Sequence, residues 1–173
     1  MIINLSQIML VPDKVEKLSA PIELENFKLR RETYEFKVKN PLELTITNLG
    51  KKKLLIEGST IIVLMIPCSR CLEDVETTLD ISISKEIDFG KTEEERIEEL
   101  DEMNYINGYD LDVDKLVYDE ILVDFPMKVV CSTDCKGICN VCGKNLNKGT
   151  CSCESTSLDP RMSAILDIFN NSK

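Results

Sequence analysis

Eight cysteines, six of them within 23 residues, constrain this chain more than any other feature. They fall as Cys68-Ser69-Arg70-Cys71, then Cys131, Cys135, Cys139, Cys142, Cys151 and Cys153, a spacing of C-x2-C, a gap, and C-x3-C-x3-C-x2-C-x8-C-x-C. Met1 to Leu10 is apolar but has neither a basic start nor a cleavage site, so it predicts a strand and not an export signal. No apolar run approaches the roughly 18 residues of a membrane span. The expectation is a cytoplasmic protein in a reducing compartment, where clustered thiols bind metal and disulfides do not persist.

Four soft thiolates suit a closed tetrahedral zinc site, so eight predict two Zn2+ per chain. An iron–sulfur cluster takes the same donors. The preferred partition joins sequence neighbours. Cys139, Cys142, Cys151 and Cys153 form one compact site, and Cys68 and Cys71 join Cys131 and Cys135 across a long gap. Closing such a gap costs little, because loop entropy grows only logarithmically with length. A rival partition puts Cys131, Cys135, Cys139 and Cys142 on one ion and leaves the outer pairs to share the other. Gly143, just after Cys142, fits a turn whose backbone N–H groups donate to thiolate sulfur.

The chain has no histidine. It therefore lacks the usual general base, the usual catalytic zinc ligand and any Ser-His or Cys-His nucleophile pair. A zinc ion held by four thiolates has no open position for water. Neither a P-loop nor a dinucleotide-binding glycine motif is present. The expectation is a protein that is not an enzyme.

With 173 residues, 43% of them hydrophobic, the chain suffices for one domain with a core and a small annex. Strict alternation over Val75, Leu79, Ile81, Ile83, Ile87 and Phe89 against polar even positions predicts a long strand with one buried face. Tyr34, Phe36 and Val38, and Leu42, Leu44 and Ile46, alternate in the same way. Leu54 to Ile66 reads as strand interrupted at Gly58-Ser59, and the apolar run Ile61–Ile66 suggests a central strand covered on both faces. Val113, Leu116, Val117, Ile121 and Phe125 recur at helical spacing behind the N-cap Asp112. Asp159-Pro160 opens a short terminal helix. The fold class expected is α+β: an antiparallel β barrel or sandwich with one amphipathic helix, a cysteine-rich zinc-binding segment and a short C-terminal helix. Residues 1–128 make the mainly β domain with an acidic insert, and residues 129–173 the zinc-binding segment with the terminal helix packed on it.

The net charge of −10 is uneven. Glu93 to Asp124 carries 13 acidic and 2 basic residues, net −11, against 18 and 19 over the remainder, net +1. A solvated face explains such a run, and so does a surface for a basic partner such as a ribosomal protein or a ribonuclease. Asp119 and Glu120 are the candidate residues on that surface. Lys51-Lys52-Lys53 and Arg30-Arg31 are candidates for phosphate contact, and Lys51-Lys52-Lys53, beside Gly50, reads first as a solvated hairpin turn. Lys136, Asn140, Lys144, Asn145, Asn147 and Lys148 decorate the cysteine-rich segment, and zinc knuckles can read RNA. Lys136, Lys144, Asn145 and Lys148 are the candidate RNA contacts.

The order of motifs carries a resemblance. Cys68-Ser-Arg-Cys71 follows a β run. Asp110-Leu-Asp then leads a helix ending in Phe125-Pro126-Met127. Cys-x3-Cys-Lys-Gly-Ile-Cys-x2-Cys-Gly-x-Asn-Leu-Asn comes next, and Asp159-Pro160-Arg161 before a terminal helix. Together these resemble the YceD-like family, bacterial and plastid proteins associated with accumulation of large-subunit ribosomal RNA. The resemblance runs from about Leu42 onward. It implies a non-enzymatic role in 23S ribosomal RNA accumulation or processing and in large-subunit assembly, through the RNA or its precursor directly or indirectly. The other reading is an interaction adaptor whose acidic segment binds a basic ribosomal protein or a ribonuclease. Some members keep only the first cysteine pair and a later His/Cys pair near Cys131 and Cys135. That implies the unit of Cys68, Cys71, Cys131 and Cys135 is the core site and the second cluster an elaboration.

Overall fold

The computed structural model describes residues 1–91 and 103–153. They form two compact units. The first comprises Met1–Ile66 and Val75–Met127. The second comprises Pro67–Asp74 and the described residues from Lys128 on. The segment carrying Cys68 and Cys71 groups with the cysteine-rich unit, whereas the sequence reading placed it in the β domain. The acidic stretch 92–102 and the expected terminal helix after Asp159 lie outside the described residues.

In the first unit, β1 (Ile2–Asn4), β9 (Asp110–Asp112) and β8 (Ile106–Asn107) make a three-stranded antiparallel sheet. A larger sheet follows the path β2 (Val15–Ala20), β5 (Leu42–Gly50), β6 (Lys53–Pro67), β4 (Glu32–Lys39), β3 (Asn26–Leu29), with β7 (Asp74–Asp88) also paired to β6. The long β6 pairs with β5 over Lys53–Ser59 and with β4 over Ile62–Met65. The strand path is open, and no closed barrel forms among the described residues. The architecture is mostly antiparallel sheet with two helices there, α1 (Ser6–Met9) and α2 (Val113–Asp124).

The alternation in β7 holds: Leu79, Ile81, Ile83 and Ile87 are buried and their neighbours are not. The same period runs through Leu42, Leu44 and Ile46 on β5. On β6 it runs through Leu54, Ile56, Thr60, Ile62, Leu64 and Ile66. In the run Ile61–Ile66 only the even positions are buried; Val63 and Met65 are half-buried and Ile61 is 46% exposed. An apolar side chain is no proof of burial. Nor does Gly58 interrupt the strand. It pairs with Leu44, and a Cβ there would lie 2.9 Å from the Leu44 side chain. Glycine marks a close strand approach here, not a break.

Met1–Leu10 is a three-residue strand followed by one helical turn, not a continuous strand. Its short helix leaves unpaired carbonyls at its end. The Asn48 side chain, 3% exposed, donates to the carbonyls of Ile8 (3.0 Å), Met9 (3.2 Å) and Val11 (2.8 Å).

Helix α2 starts as expected: the Asp112 carboxylate accepts from the Lys115 N–H at 3.2 Å. Its face of Val113, Leu116, Val117 and Ile121 is fully buried. Glu120 corrects the sequence reading. It is 7% exposed, and its carboxylate lies 2.8 Å from Lys85 Nζ on β7. A carboxylate committed to a core-facing ion pair is not partner surface. Asp119 is half-buried and accepts from Asn104 at 3.4 Å. Removing the cation strands the buried carboxylate. Lys85→Ala should destabilise by about 1–2 kcal/mol, a figure reduced because Lys85 itself is part exposed. Adding Glu120→Leu to Lys85→Ala should recover most of that loss in urea unfolding.

Candidate metal centre

Site 1 takes two ligands from the turn after β6 and two from the later segment. Cys68, Cys71, Cys131 and Cys135 place their sulfurs within 4.8 Å of one another. Cys68 Sγ is 3.8 Å from Cys135 Sγ, and Cys71 Sγ is 3.6 Å from Cys131 Sγ. A disulfide needs about 2.05 Å. A tetrahedron of thiolates at about 2.3 Å from a central ion has edges of about 3.8 Å. Four thiols at this spacing fit a soft divalent cation. Site 2 gathers Cys139, Cys142, Cys151 and Cys153 under the same 4.8 Å limit. The sulfurs are thus brought together as the sequence-neighbour partition groups them, and the rival set of Cys131, Cys135, Cys139 and Cys142 is not.

Two turns position the leading pair of each site, and they match bond for bond. In the first, Cys68 Sγ accepts from the Arg70 N–H (3.5 Å), the Cys68 carbonyl from the Leu72 N–H (2.9 Å), and the Glu73 carbonyl from the Cys68 N–H (2.8 Å). In the second, Cys139 Sγ accepts from the Val141 N–H (3.4 Å), the Cys139 carbonyl from the Gly143 N–H (2.9 Å), and the Lys144 carbonyl from the Cys139 N–H (2.8 Å). The residue after the second cysteine must turn left-handed. Gly143 does so at φ +72, and Leu72 at φ +62. Glycine is the usual occupant of such a position. The leucine hides the first turn from a sequence search that Gly143 satisfies.

Around site 1 the second segment is tied down by Arg70, which the sequence reading did not single out, and by Asn147, which it read as surface decoration. Arg70 donates to the carbonyls of Thr133 (3.3 Å) and Cys135 (3.0 Å). Asn147 Nδ2 donates to Cys135 Sγ at 3.2 Å, while its Oδ1 accepts from the Lys136 N–H at 2.8 Å. The candidate RNA contacts divide accordingly. Lys136 is exposed. Lys144 reaches the Thr150 carbonyl at 2.8 Å. Asn145 is half-buried and accepts from the Asn147 N–H at 2.9 Å. Lys148 is ion-paired to Glu73. Part of this Lys/Asn decoration therefore holds the metal unit itself together. The signal that marks Arg70 is its place inside a C-x2-C turn, where a side chain can reach backbone carbonyls beside the other ligands.

Gly137, at φ +75, brings the chain against the first turn, and a Cβ there would sit 3.0 Å from the Arg70 carbonyl oxygen. Gly137→Ala meets both the left-handed penalty and that contact. It should weaken metal at site 1 roughly tenfold in chelator competition, as loss of outer support does elsewhere. Site 2 affinity should not move.

The thiols split within each set. Donation from the Cys71 N–H, against the opposing effect of burial, takes Cys68 down to about 6. Donation from the Cys142 and Val141 N–H groups takes Cys139 down to about 6. Cys131, whose proton is shared with the Cys135 and Cys71 sulfurs, is pushed up to about 12, and Cys153, hydrogen-bonded to Cys142, also to about 12. Cys131 and Cys153 therefore keep their protons at neutral pH. Metal must displace the remaining protons, so the bound state holds fewer protons than the free one. Lowering the pH from 8 to 6 should therefore weaken metal binding by at least about tenfold per unit, measured against a chromophoric chelator.

The site is that of a protein with two four-cysteine groups on paired knuckle turns. The family model of the large ribosomal RNA subunit accumulation protein YceD matches residues 56–169, and the chain belongs to that family. Among the curated proteins it is similar to the large ribosomal RNA subunit accumulation protein YCED homolog 1, chloroplastic, of Arabidopsis thaliana. That match is 27% identical over 129 residues, covering 60% of this chain and 40% of the plant protein. An uncharacterized protein of Bacillus subtilis, YlbN, is 29% identical over 103 residues, 59% of this chain and 58% of its own length. An uncharacterized protein of Mycobacterium tuberculosis is 22% identical over 102 residues, 59% of this chain and 49% of its own. The chain spans about half the length of the curated relatives it matches. No solved structure matches it. No helix among the described residues is long and apolar enough to cross a membrane.

Proposed function

We propose that this protein is a non-enzymatic cytoplasmic factor that supports 23S ribosomal RNA accumulation or processing, and through it assembly of the large ribosomal subunit. The observation that carries this reading is the family match over residues 56–169, a span that includes all eight cysteines. Zinc is the ion proposed for both groups, because it favours four thiolates in a closed site. Such a site leaves no position for a reacting water, and the chain has no histidine to act as a general base. The metal serves as structure, and the exposed Lys136 of the metal unit is a candidate partner contact.

A deletion strain is the test. It should show reduced 23S ribosomal RNA and fewer complete large subunits in sucrose gradients. Normal RNA levels and normal subunit profiles would refute the reading. Purified without added metal, the protein should carry about two zinc ions per chain. Affinity purification from lysate with and without RNase then separates direct from indirect action. RNA lost on RNase treatment supports direct contact, whereas a basic protein that stays bound favours the adaptor.

A further inference from the structure

Two hairpin loops of the larger sheet are made entirely of cations. Leu29 pairs with Glu32, so β3 and β4 join through Arg30-Arg31 alone. Gly50 pairs with Lys53, so β5 and β6 join through Lys51-Lys52 alone. Two-residue loops between antiparallel strands require left-handed backbone, and Asn and Gly are the residues that supply it readily. Here the left-handed positions belong to Arg30 (φ +57), Lys51 (φ +51) and Lys52 (φ +64). Long cationic side chains are a poor choice for such places, and strain of this kind is a reason to look for function.

The four side chains are exposed, and among the described residues none makes an ion pair. They share that state with Lys17, Lys28, Lys128 and Lys136, whereas Lys14, Lys37, Lys53, Lys85, Lys115 and Lys148 all have carboxylate partners. In a chain of net charge −10, these two loops concentrate exposed cations at left-handed backbone positions. The loops lie beyond opposite ends of β6, because β5 covers its first half and β4 its second. A strand of 15 residues spans up to about 50 Å at about 3.3 Å per residue. No small anion bridges that distance. A phosphate polymer does, whereas a broad anionic surface would meet the chain's own negative charge.

We propose that the Arg30-Arg31 and Lys51-Lys52 loops are two phosphate contacts for one RNA, placed at the two ends of β6. This rests on the ribosomal-RNA reading above and assigns its contact residues. Binding is electrostatic and sequence-independent at these loops, so it weakens steeply with salt.

The test exchanges each loop for residues its backbone prefers. Lys51→Asn with Lys52→Gly, and Arg30→Gly with Arg31→Asn, should raise the midpoint of urea unfolding, which excludes misfolding as a cause. Binding of the full metal-loaded chain to a labelled RNA duplex longer than β6 is followed by anisotropy across a salt series. Each double variant should bind about tenfold more weakly, with the slope of log K against log salt reduced by about two. Stabilised variants that bind with unchanged affinity and slope would overturn the proposal and leave the deletion-strain result standing. Tighter binding of the native protein to anionic phospholipid vesicles than to the RNA would also overturn it, as would an absence of RNA binding.

Discussion

Cys68→Ser, or stripping the metal with a chelator, is expected to unfold the second unit and leave the strands of the first in place. Among the described residues of that unit the only buried side chains of the apolar class are Cys68, Cys71, Cys135 and Cys139. Among those described residues no leucine, isoleucine or aromatic side chain is buried, so there the ligands are the main offset to the entropy of ordering. Structural zinc contributes about 10–16 kcal/mol in small cysteine-ligated folds at neutral pH, and that contribution is folding free energy. Hydrogen exchange is the measurement. Amides such as Cys139, Gly143 and Leu146, bonded within the knuckles, should lose protection on chelation. Those of Ile56 and Ile81 should keep theirs. Retained protection at Cys139 in the metal-free protein would contradict the account.

Phe27→Ala should be the most damaging single truncation in the first unit. The ring is fully buried on β3 and stands 6.1 Å from Tyr34, 5.1 Å from Tyr118 and 5.5 Å from Phe125, centroid to centroid. Tyr34 and Phe125 meet at 5.0 Å. The polar ends of the cluster are satisfied as well. Tyr118 Oη donates to the Lys28 carbonyl at 2.6 Å, and Tyr34 donates to the Glu32 carboxylate. Burial together with that bond takes Tyr34 up to about 12. The cluster fastens α2 to the β3–β4 hairpin, so a cavity at its centre costs transfer energy and ring contacts together, about 3–5 kcal/mol. Phe36, half-buried on β4 with Lys39 over its ring, provides the comparison. Phe36→Ala should cost no more than about 1 kcal/mol by urea unfolding.

Local features were legible in the sequence, and features set by distant chain were not. The alternation of β7 and the Asp112 cap each depend on residues within a few positions. The two halves of site 2 lie close in sequence, and Gly143 announces its turn. Glu120 misled because its partner Lys85 sits on another element 35 positions away, beyond any helical periodicity. Gly58 misled because the reason for it, the approach of Leu44, belongs to the neighbouring strand. Leu72 carries the same backbone conformation as Gly143 without the residue type that signals it.

The two metal groups also differ in when they can exist. Site 2 closes within the 15 residues from Cys139 to Cys153. Site 1 joins partners 60 and 67 positions apart, Cys71 with Cys131 and Cys68 with Cys135. A chain emerging from the ribosome therefore presents the Cys68-Cys71 pair long before its other two ligands are made. During that interval the first pair can hold an ion only incompletely. Completion of site 1 thereby registers that synthesis has passed Cys135, and it comes late, as non-local contacts do.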